Sequence, residues 1–399
     1  MGGLGQVNKR LMPINKNTFC VAPWYSVFIG SDKTLAPCCQ FKSKFNNYNK
    51  LEEYFNSKEI DDVRQDLLKG IKNKNCSKCW DQEDKGNDSL RLISNRTIGL
   101  NTKSSIRDQI KDPKISNIKI FDLTLGNLCN LKCTMCYPGL SSQLLAEANI
   151  NPKLKSRYGK NYVQENYDWP KYDDFISWCE KFLPQSIQIT FTGGEPFIIP
   201  WIPNVIKKIP ETQKAKCILH FTTNLTVIND ELLKIFHKFR EVWISVSIEG
   251  TGKTHEYVRH GHRWQKLVNN LKLLRDKKIP NLFLKFNHVV QATSYHSITD
   301  MVKFADEQKL EIRPALLENP QHFHISALTE TAKIKFIEKT ADYDGFNKEF
   351  VSYVRNMSNT HIKQDKSLAK HCIEHLSDLD EVRNTNFQNI IPKENLYQC

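Results

Sequence analysis

The stretch that decides the fold reads NIKIFDLTLGNLCNLKCTMC and covers residues 117–136. In its first part, residues 117–125, apolar side chains alternate on both faces. This pattern predicts a strand that is buried in a parallel sheet. The second part carries Cys129, Cys133 and Cys136 in a C-x3-C-x2-C spacing. The sequence therefore predicts three thiols on a loop just after a buried strand.

Three thiolates on one loop suit a cubane iron–sulfur cluster that has one iron without a protein ligand. Four thiolates would close the cluster, as in the usual electron carriers. An open iron can bind a substrate or cofactor, as the open position of a catalytic zinc site does. Two alternatives are a zinc site that lacks its fourth ligand and a set of buried free thiols.

The spacing after a strand resembles the radical S-adenosylmethionine (SAM) enzymes. The resemblance implies that Cys129, Cys133 and Cys136 hold a catalytic [4Fe–4S] cluster whose open iron chelates the amino and carboxylate groups of SAM. Electron transfer then cleaves SAM to a 5′-deoxyadenosyl radical, which abstracts a substrate hydrogen. The family often has an aromatic residue before the third cysteine. Met135 stands there in this chain, and a soft apolar side chain can contact adenine instead.

A second motif follows the next predicted strand. The residues Gly193, Gly194, Glu195 and Pro196 match the family's GGEP motif, whose backbone and acid hold the SAM amino group. Two glycines let the backbone approach a ligand closely, and the proline stiffens the turn. Alone, a Gly-Gly pair is mostly an ordinary turn, and the cysteine motif upstream gives it meaning.

Further contacts to SAM are expected from later strands. Ser247 and Glu249 lie in a segment that resembles the family's SxDG sequence, with Glu in place of Asp. Ser247 is then a partner for the SAM ribose or carboxylate. Arg259 is expected to bind the carboxylate through its bidentate guanidinium, and its alternative is an ordinary helix-surface arginine. The strand-end residues expected at the ligand rim or on the adenine or substrate side are Asn224, Asn287 and Leu316.

A second group of cysteines precedes the core. Two strand-like runs flank the turn at residues 30–33 and predict a hairpin. A helix is predicted over residues 51–70, and the C-x2-C spacing at residues 76–79 is typical of a metal site. The thiols that this arrangement would gather are Cys20, Cys38 or Cys39, Cys76 and Cys79. Four thiolates suit either zinc or an iron–sulfur cluster.

This layout resembles the twitch, or half-SPASM, modules of radical SAM enzymes, which carry one auxiliary [4Fe–4S] cluster. Such modules commonly follow the core, whereas here the module precedes it. A poorly characterised subgroup shares this order and the Cys-Cys pair that ends the hairpin. The stretch after Cys79 is also similar to that subgroup, at Glu83, Gly86, Ser89, Arg91 and Asn95.

Residues 117–320 alternate strand-like and helix-like segments, which is typical of βα units around a parallel sheet. The predicted strands cover residues 117–124, 186–192, 217–223, 242–248, 282–290 and 310–317. Six units fit the partial (β/α)6 TIM-like barrel that the resemblance implies, so the predicted fold class is α/β.

Three regions are predicted along the chain. Residues 1–115 form the auxiliary-cluster module, residues 116–320 the radical SAM core, and residues 321–399 a helical segment with helices over 327–340 and 364–376. A polar insertion between the first helix and second strand predicts either a substrate lid or a surface excursion. Its aromatic residues are Tyr158, Tyr162, Tyr167, Trp169 and Tyr172.

The 399 residues carry a formal net charge of +13 and 12 cysteines. The charge indicates either an acidic partner or a Lys- and Asn-rich composition, and no nucleic-acid-binding module accompanies it. No apolar N-terminal segment or membrane-length apolar run is visible, which predicts a cytoplasmic, reduced protein without membrane contact. Isolated cysteines are expected to be small core residues (Cys179, Cys217 and Cys372) or an incidental tail thiol (Cys399).

The sequence thus predicts an enzyme that cleaves SAM reductively and modifies a peptide or protein side chain, because relatives with auxiliary clusters often act on peptides. A sugar, a nucleoside or another small metabolite is the alternative substrate. A flavodoxin- or ferredoxin-type protein is the expected reductant. A zinc-containing nucleic-acid-binding protein, suggested by the charge and the C-x2-C site, is the alternative from another class.

Overall fold

The computed structural model describes residues 17–48, 50–84, 88–99, 110, 112–159, 167–171, 173–317 and 319–397. These residues divide into two compact units. The first holds the described residues up to Ile29 and those from Thr34 to Asp122. The second holds Gly30–Lys33 and the described residues from Leu123 onward. The predicted C-terminal segment therefore belongs to the same unit as the predicted core.

The first unit contains short helices around one hairpin. Its elements are α1 (Ala22–Tyr25), β1 (Ser26–Ile29), β2 (Leu35–Ala36), α2 (Leu51–Phe55), α3 (Lys58–Leu68), α4 (Ser77–Asp84) and α5 (Leu90–Ile98). β1 and β2 pair antiparallel, with Phe28 opposite Ala36, so the predicted hairpin is confirmed. Its first run is shorter than predicted, because Pro23 lies in the first turn of α1 and favours a helical start there.

The helix predicted over residues 51–70 is two helices. Ser57 lies between α2 and α3 with extended backbone, and its side chain accepts a hydrogen bond from the Ile60 amide. A serine at such a position caps a new helix instead of continuing the old one. Within α3, the buried Arg64 donates from Nε and Nη2 to the Pro23 carbonyl at 3.1 and 2.9 Å. This contact fixes α1, and with it the backbone next to Cys20.

The second unit contains the predicted strands. They are β3 (Ile120–Thr124), β4 (Gln188–Thr192), β5 (Ile218–Thr223), β6 (Glu241–Ser247), β7 (Leu282–Val290) and β8 (Ile312–Leu316). β3 begins in the first unit and ends in the second. The strands lie side by side in chain order, and each neighbouring pair from β4 to β8 is parallel. All six predicted strands are therefore present, in an open sheet consistent with a partial barrel.

Helices connect and follow these strands. Those between β3 and β8 are α6 (Ser142–Ile150), α7 (Pro152–Tyr158), α8 (Asp173–Phe182), α9 (Ile202–Lys207), α10 (Glu211–Lys214), α11 (Asp230–Phe236), α12 (Gly252–Val258), α13 (Trp264–Asp276) and α14 (Ile298–Glu307). Those after β8 are α15 (Glu330–Lys339), α16 (Lys348–Thr360), α17 (Lys366–Arg383) and α18 (Lys393–Leu396). Both predicted C-terminal helices are present, and α17 runs seven residues beyond the predicted end at 376.

The predicted lid is packed into the second unit where it is described. Tyr158, Tyr167 and Trp169 are buried, and Trp169 donates from Nε1 to the Ser31 carbonyl at 2.7 Å. Tyr162 and Tyr172 lie outside the described residues, as do Gly86 and Cys399. These aromatic residues anchor the insertion at both ends, and a lid function for the segment between them stays a prediction.

The isolated cysteines Cys179, Cys217 and Cys372 are buried with 0% exposure, as expected of small core residues. In the part of the chain that the structure describes, no helix combines the length and apolar character needed to cross a membrane.

Candidate active site

The loop that carries Cys129, Cys133 and Cys136 leaves β3 through a tight turn. Gly126 has a φ of +89°, and a Cβ atom there would lie 2.5 Å from the Tyr167 carbonyl oxygen. Only glycine adopts that conformation and tolerates that approach without strain. The turn therefore places the three thiols directly beyond the carboxyl end of the strand.

Two serines at the start of α6 hold the first half of the loop. The Ser141 hydroxyl donates to the Leu131 carbonyl at 2.6 Å and accepts from the Leu144 amide, so it also caps α6. The Ser142 hydroxyl accepts from the Cys129 amide at 3.2 Å and lies 3.1 Å from the Cys129 carbonyl oxygen. The loop and the helix after it are thereby one hydrogen-bonded structure.

The other side of the loop pairs with the segment after α12. The Lys132 amide donates to the His260 carbonyl at 2.9 Å, and the Thr134 amide donates to the Val258 carbonyl at 2.8 Å. These two backbone bonds flank Arg259. They bring the Arg259 guanidinium to the cysteine loop, with Nη1 at 3.9 Å from the Cys133 sulfur.

The three thiols face one cavity of about 300 Å³, a size typical of small-molecule sites. Predicted site residues in its lining are Cys129, Cys133, Met135, Cys136, Gly193, Gly194, Glu195, Asn224, Ser247 and Arg259. Residues that were not predicted also line it, among them Tyr137, Thr222, Val289, Leu317 and Asn319. Pro196, Glu249 and Asn287 are not in the lining. Leu316 is the last residue of β8, and its side chain lies outside the described part of the structure.

The thiols are chemically suited to a metal cluster. Burial raises the pKa of Cys129 to about 12 and raises the pKa values of Cys133 and Cys136 as well. The nearby charge of Arg259 opposes this rise. Buried thiolates at neutral pH therefore need a cation to stabilise them, and bound metal supplies it. Three such thiols around one cavity are the donor set that a three-thiolate [4Fe–4S] cluster would use.

Glu195 is buried and lies beneath the cavity. Its Oε1 accepts from the Phe197 amide at 3.0 Å and from the Thr223 hydroxyl at 2.5 Å, and its Oε2 accepts from the Asn224 amide at 2.6 Å. Burial raises the pKa of Glu195, and these hydrogen bonds oppose the rise. A carboxylate has about four acceptor positions, so one remains for a cationic ligand in the cavity.

The two glycines before Glu195 allow the turn to touch the cysteine loop. Gly193 has a φ of +68°, and a Cβ there would lie 2.0 Å from Thr124 Cγ2. Gly194 has a φ of +51°, and a Cβ there would lie 2.4 Å from the Leu128 carbonyl oxygen. The same carbonyl accepts from the Glu195 amide at 2.8 Å. Side chains at either position would separate the two motifs.

Arg259 and Glu249 form a buried ion pair. The side chains are 9% and 0% exposed, and Nη2 and Oε1 are 3.2 Å apart. Burial raises the pKa of Glu249 to about 7, with Arg259 opposing the rise. Burial alone would lower the pKa of Arg259, but Glu249 together with Cys133 and Cys129 more than offsets this, and the guanidinium stays charged. Glu249 is not in the cavity lining, and the cofactor contact expected of it stays a prediction.

Asn224, directly after β5, connects the end of that strand to the cysteine loop. Its Nδ2 donates to Asn130 Oδ1 at 3.0 Å, and its Oδ1 accepts from the amide and hydroxyl of Thr226. Asn130 in turn donates to the Thr226 hydroxyl at 2.8 Å. Asn224 borders the cavity, yet its side chain is largely engaged by the protein. Asn130 was not predicted, and its place inside the C-x3-C segment is the only sequence signal for it.

A buried charge network joins the loop to the C-terminal helix. The Glu147 carboxylate accepts from Lys132 at 2.8 Å and from Nε and Nη2 of Arg383 at 3.1 and 2.7 Å. Burial would raise the pKa of Glu147, but these cations lower it below its ordinary value. Arg383 and Glu147 are 2% and 4% exposed. A separation of 236 residues hid this pair from sequence reasoning.

The first unit contains a second group of thiols. Cys20, Cys38, Cys76 and Cys79 line one small cavity. Burial raises the pKa values of all four, to about 12 for Cys38 and Cys76. Cys39 is outside that lining and is hydrogen-bonded to Asp122. The structure therefore brings together the predicted four-thiol set with Cys38 as the hairpin member.

The residues after Cys79 hold the backbone on either side of Cys20. Arg91 donates from Nη1 to the Phe19 carbonyl at 2.8 Å, and its other nitrogens contact Glu83. The Asn95 side chain accepts from the Val21 amide and donates to the Phe19 carbonyl, both at 2.9 Å. This explains physically why these residue types follow the C-x2-C segment. Arg91 also lines the thiol cavity and adds a positive charge there.

Comparison with known families now gives a match over the second unit. Residues 123–305 match the family model described as the Radical SAM superfamily. This range includes all three loop cysteines, the Gly-Gly-Glu-Pro turn and Arg259. Residues 123–305 form a radical SAM domain. The matched range covers less than half of the chain.

Two curated proteins resemble part of this chain. The radical SAM cyclopropyl synthase TigE of Paramaledivibacter caminithermalis is 23% identical over 215 residues, which is 52% of this chain and 43% of that protein. An S-adenosylmethionine-dependent nucleotide dehydratase of Lacinutrix mariniflava is 26% identical over 141 residues, or 35% of this chain and 25% of that protein. The match thus spans less than half the length of either relative.

Two solved structures also resemble this chain at a distance. Native anSMEcpe with bound AdoMet has a TM-score of 0.40 and 18% identity, with 56% of this chain and 60% of that chain covered. Streptococcus suis SuiB bound to its precursor peptide SuiA has a TM-score of 0.37 and 17% identity, with 81% of this chain and 64% of that chain covered.

Proposed function

We propose that this chain binds a [4Fe–4S] cluster through Cys129, Cys133 and Cys136 and SAM in the adjoining cavity. When bound there, the cluster would supply the electron for SAM cleavage, and the hydrogen abstracted afterwards would come from a peptide or protein side chain. One observation carries the proposal: the three thiols converge on the cavity that the Gly-Gly-Glu turn and Arg259 also line.

The chain's own residues supply opposite charges for the two ends of the SAM amino-acid group. Glu195 has one acceptor position left for the ammonium, because its other contacts are to Phe197, Thr223 and Asn224. Arg259 directs Nη1 toward the cysteine loop and cavity while Glu249 holds its other nitrogens, so it is oriented to bind the carboxylate. Ser247 lines the same cavity and is the proposed ribose or carboxylate contact, and Met135 the proposed adenine contact.

The proposed second site is an auxiliary [4Fe–4S] cluster held by Cys20, Cys38, Cys76 and Cys79. Its support is the convergence of these four thiols on one cavity beside Arg91. Four thiolates leave no open iron, so this cluster would carry electrons or support the fold. Structural zinc is the alternative occupant, since it accepts the same ligands. A flavodoxin- or ferredoxin-type protein is the proposed electron source.

A peptide or protein side chain is the proposed substrate, because the two-cluster layout resembles radical SAM enzymes that modify peptides. The similarity to a protein named as a nucleotide dehydratase favours a nucleotide as the second candidate. Labelled substrates separate the two. Reconstituted protein is incubated with SAM, dithionite and either deuterated peptides or deuterated nucleotides, and 5′-deoxyadenosine is analysed by mass spectrometry.

We expect 5′-deoxyadenosine to gain deuterium from the peptide set, with peptides encoded beside the protein's gene as the first candidates. Deuterium gained from the nucleotide set alone would contradict the peptide assignment. Iron and zinc analysis of the same samples tests the cofactors. Colourless, zinc-loaded protein without SAM cleavage would contradict the whole proposal.

A further inference from the structure

The parallel strands β4 to β8 have two different faces. One face carries buried apolar residues such as Phe191, Phe221, Ile244 and Phe286. The opposite face is polar on its inner strands, and we call it the polar face. The register pairs Thr222 with Ser245, Ser245 with Lys285, and Asn287 with Arg313. Because side chains alternate along a strand and register partners share a face, these residues all lie on the polar face.

The polar face is continuous with the proposed SAM cavity. Thr222, Ser247 and Val289 line the cavity and belong to this face. Ser245 precedes Ser247 by two residues, and Lys285 precedes Val289 by four. At roughly 3.3 Å per residue, these separations are about 7 and 13 Å along the strands. When the reacting carbon of a substrate lies at the cavity, the substrate groups next to that carbon therefore lie along the polar face.

Two cations lie close together on this face. Lys285 and Arg313 occupy neighbouring strands. Among the described residues, no carboxylate oxygen lies within 4 Å of a side-chain nitrogen of either one. Burial and the charge of Arg313 lower the pKa of Lys285 to about 8. Its Nζ lies 5.1 Å from the Trp243 ring centroid, a contact that also favours the charged form.

The acidic groups on the same face offset this charge only in part. Glu311 precedes β8 and raises the pKa of Lys285. This effect is smaller than the lowering that burial and Arg313 cause. Glu241, at the start of β6, accepts from Trp243 Nε1 at 2.8 Å and also faces Arg240. His220 and Ser245 add neutral polar groups to the polar face, and they share a hydrogen bond of 2.8 Å. Like charges held together in this way favour binding of an anion.

We propose that Lys285 and Arg313 bind a carboxylate of the substrate, so that the enzyme selects an acidic peptide segment. This inference rests on the proposed function and adds a substrate class to it. The guanidinium supplies a planar pair of donors that matches a carboxylate, and the ammonium supplies a point charge beside it. The bound carboxylate would hold the peptide along the polar face, with the reacting residue at the cavity.

Chemical labelling of Lys285 tests this site without knowledge of the true substrate. The full-length reconstituted protein is acetylated with N-hydroxysuccinimidyl acetate at pH 8, and the modified lysines are quantified by peptide mass spectrometry. Tetraglutamate, tetraglutamine and inorganic phosphate are titrated as protecting ligands at constant ionic strength. Lys272, which is exposed and paired with Asp276, serves as the internal control.

We expect tetraglutamate to slow Lys285 acetylation by about threefold at twice its dissociation constant, since one third of the sites are then free. Tetraglutamine should give no protection, and Lys272 should be unaffected by either peptide. Arg313→Gln changes an exposed side chain, so folding is preserved, and it should abolish the protection. Equal protection by both peptides, protection by phosphate alone, or unchanged protection in Arg313→Gln would overturn the inference.

The outcome is separable from that of the proposed function. SAM cleavage without substrate is measured on the same wild-type protein that is used for the labelling, so the two results are obtained independently. Intact SAM cleavage with no protection of Lys285 would overturn the carboxylate site alone. Absence of SAM cleavage in the wild-type protein would overturn the proposed function.

Discussion

Arg259 donates to both carboxylate oxygens of Glu249, from Nε over 3.3 Å and from Nη2 over 3.2 Å, while its Nη1 lies 3.9 Å from the Cys133 sulfur. One guanidinium therefore joins a buried acid to the cysteine loop. Backbone bonds on either side, at Val258 and His260, fix the segment that carries it. The orientation needed to bind a carboxylate in the cavity exists before any ligand enters.

Arg259→Lys tests this relationship because it keeps the positive charge and removes the planar donor pair. A charge-assisted bond of this kind contributes about 1.5–3 kcal/mol, so SAM affinity should fall at least about tenfold. Cluster iron content should not change. Arg263→Lys is the matched control, since Arg263 is 81% exposed and pairs with Glu256 at 3.5 Å. Unaltered SAM binding by calorimetry in folded Arg259→Lys would exclude the carboxylate role.

Gly194→Ala should separate the Gly-Gly-Glu turn from the cysteine loop. The new Cβ would lie 2.4 Å from the Leu128 carbonyl oxygen, a backbone atom that moves only if the loop moves. The rate of SAM cleavage should drop at least about tenfold, which corresponds to about 1.4 kcal/mol in the barrier.

Gly252→Ala is the control for this experiment. Gly252 has a similar φ of +50°, but among the described residues nothing beyond its chain neighbours and its own helix backbone lies within 4 Å of its Cβ position. Both variants carry the same left-handed backbone cost of about 1–2 kcal/mol, and only one carries the clash. Equal SAM cleavage by the two variants would show that the contact between the motifs is unimportant.

Arg383→Gln should destabilise the second unit and loosen the cysteine loop. It leaves the buried Glu147 with Lys132 as its remaining partner, and breaking a buried pair costs about 3–5 kcal/mol. Denaturant unfolding measures this loss, and iron retention during dialysis reports the loop. Arg96→Gln breaks an exposed pair with Asp88 and should cost less than about 1 kcal/mol. Similar losses in both variants would contradict a special role for Arg383.

Cys76→Ala combined with Cys79→Ala should remove the auxiliary cluster only. Wild-type protein should hold about eight irons per chain, from two cubane clusters, and the double variant about four. The variant should still cleave SAM, while product formation from the true substrate is lost. Iron and zinc analysis beside electron paramagnetic resonance of the reduced protein gives the answer. About four irons and one zinc in the wild type would make the site structural.

Cys38 and Cys39 provide a matched pair for the same site. Cys38 lines the thiol cavity, whereas Cys39 contacts Asp122. Cys38→Ala should therefore reduce iron to about four per chain, and Cys39→Ala should leave about eight. The reverse result would reassign the fourth ligand.

Strong local patterns account for what the sequence predicted well. The strands are apolar on alternate positions and are separated by helices, so the positions of all six followed from periodicity, with ends displaced by at most three residues, as at Ile120 against 117. The spacing of the residues within the two motifs also indicated that the three loop cysteines and the glycine pair belong to one site. Each of these features depends on residues that are close in sequence.

Contacts that strand and helix periodicity do not encode account for what the sequence did not predict. The pair between Glu249 and Arg259 is one of them, because the two residues lie on either side of α12. The Glu147–Arg383 pair joins residues 236 positions apart. The predicted helix over residues 51–70 is interrupted at Ser57 because the Ser57 side chain caps a new helix there. The continuous amphipathic pattern of the sequence did not reveal this cap.

SAM cleavage by two triple cysteine variants tests whether Cys129, Cys133 and Cys136 hold the cluster that cleaves SAM. Anaerobically reconstituted wild-type protein and two triple variants are assayed for 5′-deoxyadenosine with SAM and dithionite. One variant replaces the three loop cysteines by Ala, and the control replaces the buried Cys179, Cys217 and Cys372. We expect cleavage of SAM by the wild type and by the control variant, and none by the loop variant. Cleavage at the wild-type rate by the loop variant would contradict this assignment.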